Sequence, residues 1–291
     1  MVKLGIAVLF AVSTLPAAIT PASAAGPLTV GSLPAVPAFQ PAWAPNVRET
    51  DAPDPAVVRF GSTYYAYTTG TSWGNHIGVL TSAQPNTAWN TLHGTRFASS
   101  AFPSIPPGTS VRPWQVNGSQ HAPGVFFVAG RYVMFYTAQT VSGHLGHYCL
   151  SIATAASPRG PFADNTNVPL LCRDAEGGAI DPAPFVDASG RAWLYFKTFD
   201  DVNHGSVPAR IFVVALTSDG LHLAGAPRIV LAQENLSSPF ETVENPQMFR
   251  AAGRFVLLFS RGNWTSNAYR QGYALCDTPR TAPQPQSFLF L

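Results

Sequence analysis

Three acidic residues stand in the same kind of local setting in this sequence. Asp54 precedes Pro55, Asp181 precedes Pro182, and Glu244 stands two residues ahead of Pro246. Each comes just before a run of alternating aromatic and aliphatic residues. A fourth segment, Gln120-His121-Ala122-Pro123-Gly124, offers His121 at a matching place. Acids are scarce in this chain, only 15 Asp and Glu among 291 residues, so three in one repeated setting are informative. Carboxyl groups held close raise one another's pKa, so one keeps its proton while another is ionised. Hydrolysis of a glycosidic bond needs that division of roles: an acid protonates the leaving oxygen and a base activates water.

The elements that must bring these residues together form a repeat. Gly61, Gly130, Gly190 and Gly253 each sit in a turn followed by aromatic and aliphatic residues, as in Arg131-Tyr132-Val133-Met134-Phe135-Tyr136. A short strand precedes each turn: Ala56 to Arg59, Gly124 to Val128, Ala183 to Val186, and Gln247 to Arg250. Each pair reads as a β-hairpin with Gly in its turn. A third strand follows each: Ile77 to Thr81, Leu150 to Thr154, Ile211 to Leu216, and Gly272 to Leu275. Short antiparallel strands repeating at this period predict the blades of an all-β propeller, and no segment has a sustained helical period. Propellers gather ligands at the central channel, near the start of each innermost strand. Asp54, His121, Asp181 and Glu244 are therefore expected at equivalent positions around one axis.

Composition excludes other classes. Charged residues are 11% of the chain and the formal charge is +2, with no basic run or stripe for nucleic acid. Lys3, the apolar run Leu4 to Phe10 and the sequence Ala22-Ser23-Ala24 read as a secretory signal peptide over residues 1–24. Residues 25–48 are a Pro- and Ala-rich lead-in, and residues 49–291 are the propeller domain. Export permits disulfides. Cys149 and Cys172 are near enough in sequence to staple one loop, which leaves Cys276 either free or without its partner. No cysteine spacing fits a zinc site.

The chain resembles glycoside hydrolase family 43. Asp54-Pro55 with the strand, Gly turn and Tyr64-Tyr65 that follow matches its first-blade motif. Ile180-Asp181-Pro182 with Asp187 and Gly190 matches the third, and Glu244-Asn245-Pro246 the fourth. The family's Trp-Ala-Pro-Asp in blade two is half kept, as His121-Ala122-Pro123-Gly124. The stretch from Cys149 to Cys172, followed by Gly177-Gly178-Ala179, resembles a disulfide-bearing branch of the family. The resemblance implies a five-bladed β-propeller of which about four blades are visible here, so the domain is expected to lack its last blade. It implies Asp54 as general base, Glu244 as general acid and Asp181 as the residue that tunes and orients Glu244. It also implies inversion at the anomeric carbon and arabinose- or xylose-containing substrates. No cofactor is required; a central-channel cation is allowed, but the His-bearing blade that usually serves it is absent.

Other residues have plainer readings. Asp54 and Asp181 could each close a turn, because Asp before Pro favours turns, and Asp51 is a local rival to Asp54 as base. His121 is expected to line the pocket. Trp73 in a loop could stack on a sugar face, though a loop Trp also anchors packing. The expected partner is a polysaccharide or oligosaccharide, with no nucleic acid and no membrane, bound by a secreted monomer. The alternative is a non-catalytic carbohydrate-binding propeller derived from such an enzyme. A sucrose- or fructan-acting relative is a more distant one.

Overall fold

A computed structural model describes residues 52–70, 76–85, 89–91, 99–102, 111–198, 208–233, 242–251, 253–263, 266–267, 269–281 and 289–290. These belong to one unit, Ala42–Leu291. The signal and lead-in segments, Asp51 and Trp73 lie outside the described residues.

The described residues form four sheets. The first holds β1 (Ala56–Phe60), β2 (Thr63–Thr69), β3 (Ile77–Ser82), β4 (Asn90–Thr91) and β5 (Ser99–Ser100), with β4 and β5 both paired to β3. The second holds β6 (His121–Val128), β7 (Arg131–Gln139) and β8 (Tyr148–Ala155). The third holds β9 (Ala179–Val186), β10 (Ala192–Thr198), β11 (Arg210–Ala215) and β12 (Arg228–Ala232). The fourth holds β13 (Val243–Ala251), β14 (Arg254–Arg261), β15 (Arg270–Cys276) and β16 (Leu289–Phe290). The main strands pair antiparallel in chain order, so each sheet is a meander. Helix is confined to two single 3-10 turns among the described residues. The four hairpins fall where the turn glycines predict them. In the turn between β6 and β7, Ala129 and Gly130 both have positive φ, 47° and 78°, the turn that matches strand twist.

Alternation along the second strand of each sheet builds the core. On β7, Met134 and Tyr136 pack with Tyr65, Tyr67 and Val79 of the first sheet. Val133 and Phe135, one residue out of phase, pack with Leu194, Phe196 and Phe212 of the third. On β10, Trp193 and Tyr195 face the other way, onto Met248, Leu257 and Phe259 of the fourth. The sheets therefore stack one on the next, and β10 is buried along its whole length. Full burial of a large apolar side chain contributes about 1.5–3 kcal/mol. Equivalent tyrosines on the second strands of sheets one and three then reach the next sheet. The Tyr67 hydroxyl donates to the Pro158 carbonyl, and the Tyr195 hydroxyl donates to the Pro279 carbonyl at 2.5 Å.

Cys149 and Cys172 form a disulfide that ties β8 to the segment carrying Leu171, itself bridged to Leu150. Cys276 is a free thiol, 2% exposed, packed in the core between the third and fourth sheets.

One expectation is corrected. The first strands of sheets two, three and four begin earlier than the apolar runs indicate, at His121, Ala179 and Val243. Each passes through a bulge before its apolar run, so polar residues and a proline lie inside the strand. Gly124 sits just past such a bulge. A Cβ there would meet the Pro182 carbonyl oxygen at 2.2 Å and Pro184 Cδ at 2.5 Å. An Asp here, as in the blade-two motif, has no room against the third sheet. Gly124→Asp is expected to destabilise the fold by about 1–3 kcal/mol through overpacking, measured by urea unfolding against the wild type.

Candidate active site

Asp54, Ala122, Asp181 and Asn245 share an unusual backbone conformation. Their φ values are 49°, 46°, 55° and 52°, and each is followed by proline. The left-handed region costs an L-residue about 1–2 kcal/mol, and a following proline restricts it further. The ladders slip at the same places: between His121 and Gly124, opposite Tyr195 to Lys197, and between Glu244 and Gln247. Such bulges re-aim side chains and often border active sites.

This geometry corrects the expected equivalence of Asp54, His121, Asp181 and Glu244. Asp54 and Asp181 do occupy one position, but Ala122 and Asn245 share it with them. His121 and Glu244 each stand one residue earlier. The left-handed residue marks the common position, and it lies immediately before the proline at all four sites.

The four turns meet around one cavity of about 300 Å³, including space open to solvent. Its wall repeats a single theme: Asp54 to Ala56, Ala122 and Pro123, Asp181 to Ala183, and Asn245 to Gln247. Hydrogen bonds between sheets lock the turns together. The Ala122 N–H donates to Thr69 Oγ1 at 2.9 Å, and the Asp181 N–H donates to Thr137 Oγ1 at 3.3 Å. The Asn245 N–H donates to Asp181 Oδ2 at 2.9 Å. Thr69 passes its own hydroxyl proton toward Asp54 Oδ2 at 2.5 Å. Asp54 is exposed, whereas Asp181 is half-buried. Loss of water pushes the Asp181 carboxyl up to about 7 against the pull of Lys197; Glu244 and Asp54 push it further up, and the Asn245 N–H opposes them.

Glu244 stands beside this wall with both carboxyl oxygens engaged. Lys197 Nζ lies 2.9 Å from Oε2, and the Tyr269 hydroxyl donates to Oε1 at 2.7 Å. Burial pushes the Tyr269 phenol well above its usual range, and Glu244 adds to the rise, so it remains a donor. His121 donates from Nδ1 to the Ser119 carbonyl at 2.8 Å and packs edge-on against Tyr148, with 4.9 Å between ring centroids. Burial holds its imidazole below the usual range, so it is neutral at pH 7. The cavity wall in the second sheet is Ala122 and Pro123, with His121 preceding them. The cluster His144, Cys149 and Cys172 offers a metal no thiolate, because the cysteines are joined and His144 pairs with Asp174 at 2.9 Å.

Lys197, Tyr269, Thr69 and Asn245 are additions that the sequence reading missed. Lys197 left a signal: it is the one charged residue in the β10 run Ala-Trp-Leu-Tyr-Phe-Lys-Thr.

A stack of meander sheets whose innermost strands carry acids to one axial cavity defines an acid-lined β-propeller site. The sequence matches the profile of Glycosyl hydrolases family 43 over residues 43–286, and the chain belongs to that family. It is 28% identical over 181 residues to a β-D-galactofuranosidase of Aspergillus niger, covering 57% of this chain and 46% of the relative. It is 27% identical over 207 residues to an arabinan endo-1,5-α-L-arabinosidase of Emericella nidulans, covering 65% and 47%. The chain thus spans about half the length of these curated relatives. Among solved structures, a thermostable family-43 glycoside hydrolase superposes with a TM-score of 0.65 at 24% identity, covering 82% of this chain and 72% of that one. An endo-arabinase of Bacteroides thetaiotaomicron gives 0.62 at 19% identity, covering 84% and 81%.

Asp181 carries a prediction about stability. An unfolded Asp titrates near ~4, whereas the folded one titrates at about 7. The native state therefore binds more protons between these values. Stability from this group is fully present below the lower value and declines as pH rises to the upper one, by up to about 1.4 kcal/mol per pH unit. Asp181→Asn lacks that slope. Urea unfolding of both proteins from about pH 4 to pH 8 is expected to show the wild type losing ground to the variant across this window.

Proposed function

We propose that this protein is a secreted glycoside hydrolase that inverts the anomeric centre of arabinose- or xylose-containing polysaccharides or oligosaccharides. The observation that carries the reading is the convergence of Asp54 and Asp181 on one cavity with Glu244 alongside. Asp54, exposed and oriented by Thr69, is the general base that takes a proton from water. Glu244 is the general acid that protonates the leaving oxygen. Asp181 stands close enough to Glu244 for that carboxylate to oppose its ionisation, as neighbouring carboxyls do. An inverting site needs roughly 6.5–9.5 Å between acid and base to admit the water. The relatives' names support the substrate class: one acts on galactofuranosides, one on arabinan, and a third, from Xylanibacter ruminicola, is a β-xylosidase. The signal-like residues 1–24 support export.

The test is release of reducing sugar from arabinan, xylan and aryl arabinofuranosides. Glu244→Ala and Asp54→Asn are expected to lower kcat by roughly 10²–10⁴-fold while leaving thermal unfolding cooperative. Saccharide binding without turnover, unchanged in Glu244→Ala, points instead to the non-catalytic carbohydrate-binding propeller.

A further inference from the structure

Counting along the ladders, Thr69, Thr137, Lys197 and Ser260 hold one position on the second strands of the four sheets. Thr69 bonds to Pro53, and the others pair with His121, Ile180 and Glu244. Three of the four are short hydroxyl residues. In two sheets that hydroxyl accepts the N–H of the next sheet's left-handed residue. A small hydroxyl therefore satisfies the fold at this position. Lysine does not do the same job, because the Asn245 N–H turns to Asp181 Oδ2 instead.

The Lys197 side chain is 4% exposed. Burying it costs several kcal/mol unless the charge is paired and its protons are bonded. It reaches from β10 across to the fourth sheet, where Nζ donates to Thr242 Oγ1 at 3.1 Å and to Glu244 Oε2 at 2.9 Å. Thr242 and Glu244 are two residues apart in extended chain, so they present one face to it. The titratable groups gathered here are Asp54, Asp181, Glu244, His121 and Tyr269, and among the described residues Lys197 is the cation that acts on Asp181.

We propose that Lys197 is a positioning residue for Glu244: anchored on Thr242, it fixes the carboxyl through Oε2 and leaves Oε1, beside Tyr269, as the oxygen that bears the catalytic proton. The proposal rests on the reading of Glu244 as the general acid. In the bond-breaking step the Oε1–H bond gives its proton to the glycosidic oxygen and its electron pair stays on Oε1. The glycosidic C–O pair moves to the leaving oxygen, while water adds to the anomeric carbon and passes a proton to Asp54. The carboxylate left on Glu244 is already paired with Lys197, so its charge develops against a fixed ammonium. The same ammonium holds the Asp181 carboxyl down against the burial that raises it.

Lys197→Met and Lys197→Arg separate positioning from packing. The first readout is the titration of the Asp181 carboxyl by carbon-13 NMR, assigned through its loss in Asp181→Asn, and it requires no turnover. It is expected near 7 in the wild type, higher in Lys197→Met, and restored in Lys197→Arg. Should Lys197→Met fail to fold, Glu244→Gln is compared with the double variant Lys197→Met/Glu244→Gln, which leaves no unpaired charge. The second readout is kcat, expected to fall roughly 10²-fold in Lys197→Met, as for other losses of alignment, with KM within about twofold. An Asp181 titration that does not rise, or a kcat that does not fall, in a folded Lys197→Met overturns the proposal. Leaving-group dependence isolates the underlying reading. If Glu244 is the acid, Glu244→Gln slows arabino-oligosaccharides far more than nitrophenyl arabinofuranosides. Equal slowing removes Glu244 as the acid, whatever the Asp181 titration shows for Lys197.

Discussion

The left-handed residue ahead of a proline is the constraint on which this molecule depends. It occurs four times among the described residues, at Asp54, Ala122, Asp181 and Asn245, and none of the four is glycine. Each instance costs on the order of 1–2 kcal/mol, so the fold must impose it. Bonds between sheets do so at three positions, as Thr69, Thr137 and Asp181 each accept the N–H of the next sheet's strained residue. The strained turn thus belongs to a pair of sheets and not to one hairpin. Asp181 belongs to both systems: its N–H ties sheet three to sheet two, and its carboxylate ties sheet four to sheet three.

The layered core explains why the acids converge. Strand alternation gives sheets two and three two apolar faces each, and both faces are covered. Sheets packed this way bring their first strands together at one end. The bulges in sheets two, three and four, and the turn ahead of β1 in sheet one, then bring two or three residues each to the same space. Tyr67 and Tyr195 repeat one hydroxyl contact, which ties sheet one to the turn after β8 and sheet three to the turn after β15.

Much of this was legible in the sequence. The four turn glycines and the alternation behind them located the hairpins. Asp54-Pro55 and Asp181-Pro182 located two of the turns that line the cavity. The one-residue offset of Glu244 was not legible, because an acid one or two residues before a proline looks alike until φ is known. Asn245 is hidden for the same reason, standing in sheet four where Asp54 and Asp181 stand in sheets one and three. Lys197 was readable in principle, as a charge within an apolar strand, but its partner lies 47 residues away on another sheet. Tyr269 lies outside every repeated pattern, and only the fold brings it to Glu244. Strand patterns report which face a residue takes; they do not report which neighbouring sheet it meets.

The prolines at 55, 123, 182 and 246 have a chemical consequence for whatever enters the cavity. A proline has no N–H to offer. The N–H groups of Ala122, Asp181 and Asn245 are already spent within the protein. At these four turns a guest is therefore met by side chains more than by backbone N–H, the exposed amides of Asn245 and Gln247 among them.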